Sequence, residues 1–194
     1  MAYSTLLHEG YAARVKHTAS GSRQIAAFHI PGDFVDLHSY PLESLAHSIL
    51  TMTDCTIVRL PHENITRLIE KNARFARLLW FSTMVDASIH REWLLNIGRR
   101  KGAERLAHFL CETLCRSEIV RLAEGTSFPL PMTQADLADT LGFTPVHMNR
   151  IIGKLRDKGL ARLENRTAHI NNRKALEELA GFDPGYLYLQ ARTG

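Results

Sequence analysis

The chain has 194 residues, 45% of them hydrophobic, with 24 Lys/Arg against 20 Asp/Glu. That length allows one sizeable core or two small ones, and the sequence holds no apolar run of about 18 residues that would span a membrane. The start, MAYSTLLHEGYAARVKH, lacks a long apolar stretch and a small-residue cleavage site, so no signal peptide is expected. Three cysteines are too few for a disulfide framework, which points to a reducing cytoplasm.

The first part, to about residue 72, reads as β-rich. Tyr11 to Val15 and Gln24 to His29 are candidate strands, the second running into the turn Pro31-Gly32-Asp33. Cys55 to Leu60 is a third, with β-branched residues in partial alternation. Ile65 to Asn72 follows as a short helix. From about Ala73 to Leu95 the pattern is helical, with Leu78, Met84 or Val85, Ile89, Trp93 and Ile97 recurring at spacings of three to seven. Such a stripe calls for a partner, either its own domain or a second copy, and the reading favours a dimer helix. Gly98-Arg99-Arg100-Lys101-Gly102 breaks the run and suggests a hinge. Ala103 to Cys115 is an amphipathic helix, and Gly125 to Pro131 a loop.

The most informative stretch is Pro131 to Ile170. Thr133 is a good N-cap with Asp136 at the capping-box spacing, and Met132 with Leu137 has the spacing of a hydrophobic staple. Gly142 ends this helix in the left-handed conformation. Thr144 caps a second helix with Pro145 in its first turn, and Phe143 and Met148 offer a second staple. On a helical wheel Met148, Ile151, Ile152 and Leu155 point inward, while Val146, Arg150 and Gly153 centre the opposite face, flanked by His147, Asn149 and Lys154. Leu160 to Leu163, a turn at Glu164 to Arg166, and Thr167 to Ile170 make a hairpin. Ala175 to Ala180 is a terminal helix, and the aromatics of the tail pack back on the body or on a partner.

This outline is a winged helix-turn-helix, and the outward face suits duplex DNA. Arg150 offers two donors to guanine, Asn149 a donor and an acceptor to adenine, and Val146 an apolar contact to a thymine methyl. Lys154 suits phosphate, as do Arg166 and Arg162 of the hairpin. The charge distribution agrees. Residues 1–97 hold nine Lys/Arg and nine Asp/Glu, residues 98–174 hold 14 and 8, and residues 175–194 hold one and three. The positive excess falls on the segment that would meet phosphate. The plainer alternative for any one of these side chains is a solvated helix face.

On these residues the chain resembles the Crp/Fnr family of bacterial transcription regulators. QIAAFHIPGDFVDLH (24–38) resembles the end of the family's cyclic-nucleotide-binding-like β-roll, and TDCTIVRLP (53–61) its last strand. The helix near 73–97 resembles its long dimerisation helix, ERLAHFLCETL (104–114) the helix that opens its DNA-binding domain, and TQADLADTLGFTPVHMNRIIGKLRDKGLA (133–161) its most specific part. The resemblance implies an α+β fold: a partial, shortened β-roll at 1–72, a dimerisation helix at 73–97, a winged helix-turn-helix at 98–174, and a C-terminal helix and tail at 175–194. It places Val146, His147 and Arg150 on DNA-contacting positions and Thr144 where a hydroxyl meets phosphate. It implies a cytoplasmic homodimer on an inverted repeat, with 144–156 in the major groove, and leaves open a contact with RNA polymerase and a small-molecule effector.

Two departures narrow that effector. Cyclic-AMP binders of the family carry a Gly-Glu and an Arg-Ser pair where this chain has Asp36-Leu37 and His47-Ser48, so cyclic AMP is not expected. An iron–sulfur cluster needs four nearby thiolates, more than the chain has. Cys111 and Cys115, four apart on one helical face, read as buried apolar thiols, and Asp36 with His38 as a surface turn rather than a metal site. No cofactor and no metal are expected. No catalytic motif such as HExxH, GxSxG or a P-loop is present, so no enzyme is expected either. The alternatives to a DNA-binding regulator are a winged-helix protein-interaction module and a metal- or redox-responsive regulator.

Overall fold

The computed structural model describes residues 2–42 and 44–189. Residues 190–194, the end of the expected tail, lie outside them. The chain divides into two compact units, residues 1–90 and 91–194.

The first unit contains β1 (Tyr3–Glu9), β2 (Ala12–His17), β3 (Arg23–His29), α1 (Ser39–Leu42), β4 (Ser48–Thr51), β5 (Thr56–Pro61), α2 (His62–Lys71) and the first part of α3 (Ala73–Arg99). The strands form two antiparallel sheets, β1–β5 and β3–β2–β4. Neither β1 nor β4 was visible in the sequence pattern. The buried residues of β1 are Ser4, Thr5 and Leu7, two of them adjacent hydroxyl side chains, so no apolar alternation marks the strand. β4 has only four residues, too few for a period of two to register.

Leu7, Ile25, Phe28, Ile30 and Val35 are buried, and Tyr11 stacks on Phe28 with ring centroids 5.7 Å apart. After β3 the chain turns at Gly32, whose φ of 95° suits glycine, and lies back along β1. Gly32 N–H donates to Leu7 O at 2.8 Å and Val35 N–H to Thr5 O at 3.0 Å. Asp36 closes this seam. It is 3% exposed rather than on a surface turn, and its carboxylate accepts the Thr5 N–H. A buried carboxylate spent on a backbone donor anchors the turn and is a poor candidate for a metal. Arg14 of β2 is also buried. Its Nε donates to Val35 O at 2.8 Å, and its Nη1 donates to both Asp86 oxygens, at 3.0 and 2.7 Å, tying β2 to α3.

The second unit continues with α4 (Gly102–Ile119), β6 (Ser127–Pro129), α5 (Gln134–Leu141), α6 (Pro145–Asp157), β7 (Ala161–Glu164), β8 (Thr167–Ile170), α7 (Arg173–Ala180) and a 3-10 turn, Pro184–Leu187. β6, β8 and β7 form one antiparallel sheet, so the expected loop at 125–131 contains a strand. The expected hinge is also narrower. α3 runs through Gly98 to Arg99, leaving only Arg100 and Lys101 before α4. A lone glycine costs a helix about 1 kcal/mol, which its neighbours readily carry. Trp93, read as part of a partner-facing stripe, is 6% exposed and packs edge-on against Phe109 of its own unit. Among the described residues no helix is long and apolar enough to cross a membrane.

A buried polar clasp joins α3, α4 and the tail. The Glu112 carboxyl accepts from Trp93 Nε1 at 3.0 Å and from Tyr186 Oη at 2.8 Å. His108 stacks on Tyr186 and meets Phe182 edge-on. Burial, and then the Arg100 charge, hold its imidazole down to about 3. Glu92 Oε1 lies 3.2 Å from His108 Nε2 but is already engaged by Arg100 Nη2 at 2.7 Å, so it does not keep a proton on the ring.

These groups give stability a pH dependence. Between the ordinary 6.5 and about 3 the unfolded chain binds a proton at His108 that the folded chain refuses, so stability falls as pH falls through that window. Glu112 acts in the opposite sense. Burial raises its pKa from 4.5, so the folded chain keeps a proton that the unfolded chain loses, and stability declines as pH rises above 4.5. Across pH 7 to about 4.5 the two groups oppose each other, so the test is a difference: as pH falls, His108→Phe should lose less melting temperature, or gain more, than wild type. An unchanged slope in the variant would show that His108 is not held neutral.

Candidate nucleic-acid interface

The local chemistry of residues 132–158 builds a rigid two-helix head. Thr133 accepts the Asp136 N–H at 3.1 Å while the Asp136 carboxylate accepts the Thr133 N–H at 2.9 Å, a reciprocal capping box. Gly142 ends α5 at φ 70° and ψ 42°. Thr144 caps α6 by accepting the His147 N–H at 3.2 Å, with Pro145 at the first helical position. Met132 and Leu137 are buried beneath, and Met148, Ile151 and Leu155 form the inward face of α6, with Ile152 half-buried.

The inward face fixes what α6 presents outward. Thr144, Val146, His147, Asn149, Arg150 and Lys154 are all exposed, Val146 at 65%. Among the described residues Arg150 and Lys154 have no ion-pair partner, so neither cation is spent within the head. His147 lies beside Phe143, ring centroids 4.9 Å apart, and the Arg105 guanidinium sits 4.5 Å above the Phe143 ring.

The hairpin after α6 completes the head. Asn165 and Arg166 have φ of 49° and 58° and join Glu164 to Thr167 in register, a two-residue turn whose twist matches the flanking strands. The Arg166 carbonyl accepts Leu130 N–H at 2.7 Å, so its backbone is held while its side chain is exposed. Arg162 differs, since Glu164 takes its Nε at 3.4 Å. Gln134, the first residue of α5, accepts from Asn149 Nδ2 through its Oε1 at 2.9 Å. The sequence reading missed it, because a polar residue next to an N-cap carries no distinctive pattern.

Arg105 of α4 sets where this head stands in its unit. Its Nη1 donates to Leu141 O, the end of α5, at 2.6 Å. Its Nη2 donates to Ile97 O and Arg100 O, at the end of α3, at 2.7 and 2.9 Å. One planar guanidinium thereby satisfies carbonyls at two helix ends that have no intrahelical partner.

Within the first unit a cavity of about 510 Å³ is lined by Arg14, Lys16, Leu37, His38, His47 and Asp86, among others. His38 and His47 stand with ring centroids 5.0 Å apart. Burial, and then the Arg14 charge, lower both, His47 to about 4, so both imidazoles are neutral at pH 7. Cys111 and Cys115 are buried in α4, and burial pushes both thiols up, Cys111 to about 12, so little reactive thiolate forms.

Two family models match, the cyclic nucleotide-binding domain over residues 3–72 and the Crp-like helix-turn-helix domain over residues 104–179. The nitrogen fixation regulation protein FixK of Rhizobium meliloti is 32% identical over 162 residues, 83% of this chain and 70% of that protein. The chain belongs to the Crp/Fnr family. A probable transcriptional activator of Rhizobium leguminosarum bv. viciae is 31% identical over 84% of this chain and 66% of its own length. The structure of FixK2 from Bradyrhizobium japonicum superposes with a TM-score of 0.79 at 25% identity, covering 94% of this chain and 89% of that one. The chain spans just under two thirds of the length of several curated relatives that it matches, 66%, 64% and 66% for three of them. The α+β architecture, with a partial roll, long helices and a C-terminal helix-turn-helix, is that of the family.

Replacing Arg105 by Lys should expose the dependence on its fork. Lys keeps the charge but cannot reach three carbonyls, so global stability should fall by about 1–3 kcal/mol in urea denaturation. Stability equal to wild type would mean that these carbonyls are satisfied without the fork.

Proposed function

We propose that the protein is a sequence-specific DNA-binding transcription regulator that acts as a homodimer on an inverted repeat. The observation that carries this reading is the outer face of α6, where Val146, His147, Asn149, Arg150 and Lys154 stand exposed on a helix whose opposite face is locked into the core. Arg150 donates to guanine O6 and N7, Asn149 pairs with adenine, and Val146 packs on a thymine methyl. Thr144, Lys154 and the wing residue Arg166 hold phosphate. Residues 98–174 form the DNA-binding domain and 175–194 its C-terminal helix and tail. Relatives named as transcriptional activators fit this reading, and with it a contact to RNA polymerase.

Residues 73–97 serve as the dimerisation helix. Leu78, Phe81 and Met84 of α3 are 55%, 50% and 49% exposed, an apolar surface that a second copy would cover. Two recognition helices would then enter the major groove about 34 Å apart, one turn of the duplex.

Residues 1–72 are a sensor-like roll that does not take cyclic AMP. Arg14, the arginine at the cavity, is committed to Asp86 and to Val35 O. Asp36 is spent on Thr5, and His47 is neutral. Neither a free arginine for a cyclic phosphate nor a free carboxylate for a ribose is thus available from these positions. Adding cyclic AMP should leave the melting temperature and the DNA affinity unchanged, whereas a concentration-dependent rise in either would refute this part.

Selection of bound duplexes from a random library, at near-physiological salt, tests the reading. A two-fold symmetric site is expected. Arg150→Ala should cost about 1–3 kcal/mol on that site and relax one base position in each half. Lys154→Ala should weaken all sequences alike and reduce the salt slope by about one per subunit. Failure to enrich any sequence would favour a winged helix that binds protein instead.

A further inference from the structure

We propose that Gln134 and Asn149 act as one unit that reads an adenine in each half-site, with Gln134 as the positioning residue. The inference rests on the DNA-binding reading above and names a specificity device within it. Gln134 opens α5 and Asn149 lies in the second turn of α6, fifteen residues apart, yet the Asn149 Nδ2 donates to Gln134 Oε1 at 2.9 Å. Both side chains are exposed, so no core packing forces them together.

The chemistry of a primary amide makes this contact consequential. Asn carries one acceptor oxygen and two N–H donors. Left alone on a helix surface, its amide can rotate by 180°, and the two orientations present opposite patterns. In the arrangement seen, the Gln134 carbonyl oxygen accepts one Asn149 N–H, which turns Nδ2 toward α5. Asn149 then retains its other N–H and its Oδ1, one donor and one acceptor side by side. Adenine presents the complement in the major groove, N7 as acceptor and N6–H as donor. Guanine presents two acceptors there and leaves the Asn149 oxygen facing another oxygen. Fixing the amide before binding also removes the rotamer entropy that an unheld side chain would lose on contact.

The position of Gln134 suits this role. It lines, together with Arg166, a groove of about 120 Å³ among α5, α6 and the wing. Gln134 therefore adjoins both Asn149 on the base-facing helix and the groove it shares with the cation proposed to hold flanking phosphate. The buried neighbours Leu137 and Met148 and the caps at Thr133 and Thr144 fix the two helices against each other, so the amides are held by rigid elements at both ends.

The experiment measures affinity for the selected operator and for the same operator with 7-deazaadenine, which lacks the N7 acceptor, at each adenine of a half-site in turn. Wild type should lose roughly tenfold at one position. Asn149→Ala and Gln134→Ala should each abolish that sensitivity, and the double variant should be no worse than Asn149→Ala, the mark of a single coupled unit. Gln134→Glu keeps an acceptor for Asn149 Nδ2, so it should retain the sensitivity at this position while weakening all sequences alike through repulsion of phosphate. A structural role for Gln134 would not be rescued in that position-specific way. The pair is overturned if Gln134→Ala keeps the 7-deazaadenine effect or if the two single losses add. Wild type that enriches no DNA sequence would overturn both the pair and the reading beneath it, whereas enrichment with an unaltered Gln134→Ala preference would overturn the pair alone.

Discussion

The second unit depends on one guanidinium. Arg105 reaches the final carbonyls of α3 and α5 and lies over the Phe143 ring, against which His147 of α6 stands. A helix end normally leaves carbonyls for water or a cap to satisfy. Here two such ends converge on one rigid fork, so the fork fixes their relative positions as well as their hydrogen bonds. A flexible ammonium would supply charge without that geometry. The long helix and the recognition head are thus linked through a side chain that touches neither bases nor phosphate in the proposed complex. Its contribution to the proposed recognition would be to decide where the reading residues stand.

Much of this head was legible in the sequence because its determinants are local. Thr133 with Asp136, Gly142, and Thr144 with Pro145 each act within a few residues, and the structure realises each of them. The inward stripe Met148, Ile151 and Leu155 follows from helical periodicity alone. What escaped notice acts over long separations. Arg105 meets Leu141 across 36 positions, Gln134 meets Asn149 across 15, and Arg14 meets Asp86 across 72. No composition or spacing rule marks an arginine that will cap a distant helix, because the partner is a backbone carbonyl that every residue possesses.

The first unit shows the same division. The turn at Gly32 and the strands around it were readable from glycine, proline and β-branched residues. β1 was not, since two of its buried residues are the polar neighbours Ser4 and Thr5. Asp36 looked like a polar residue at a surface turn, yet it is buried against the Thr5 amide. A carboxylate beside a turn signal is exposed unless another segment brings it a donor, and that segment lies 31 residues away. Trp93 was misplaced for a related reason. Its helical spacing aligned it with Leu78 and Met84, but α3 continues past the boundary between the two units, and its later residues have α4 beside them. One helix therefore carries two apolar surfaces with different fates, an earlier one half exposed and a later one buried.

That split bears on how the chain divides its free energy. Burying Trp93 against Phe109, and the Glu112 carboxyl beneath Trp93 and Tyr186, secures the second unit from within. Leu78, Phe81 and Met84 keep about half of their surface exposed and gain further apolar burial only when another surface covers them. Folding of the head and the proposed association through the earlier part of α3 would then be separable contributions. In a regulator that reads two half-sites, such separation has a use. The head can be fully formed in each copy while the number of heads on the duplex is set by association, so site symmetry, and not head stability, becomes the quantity that affinity reports.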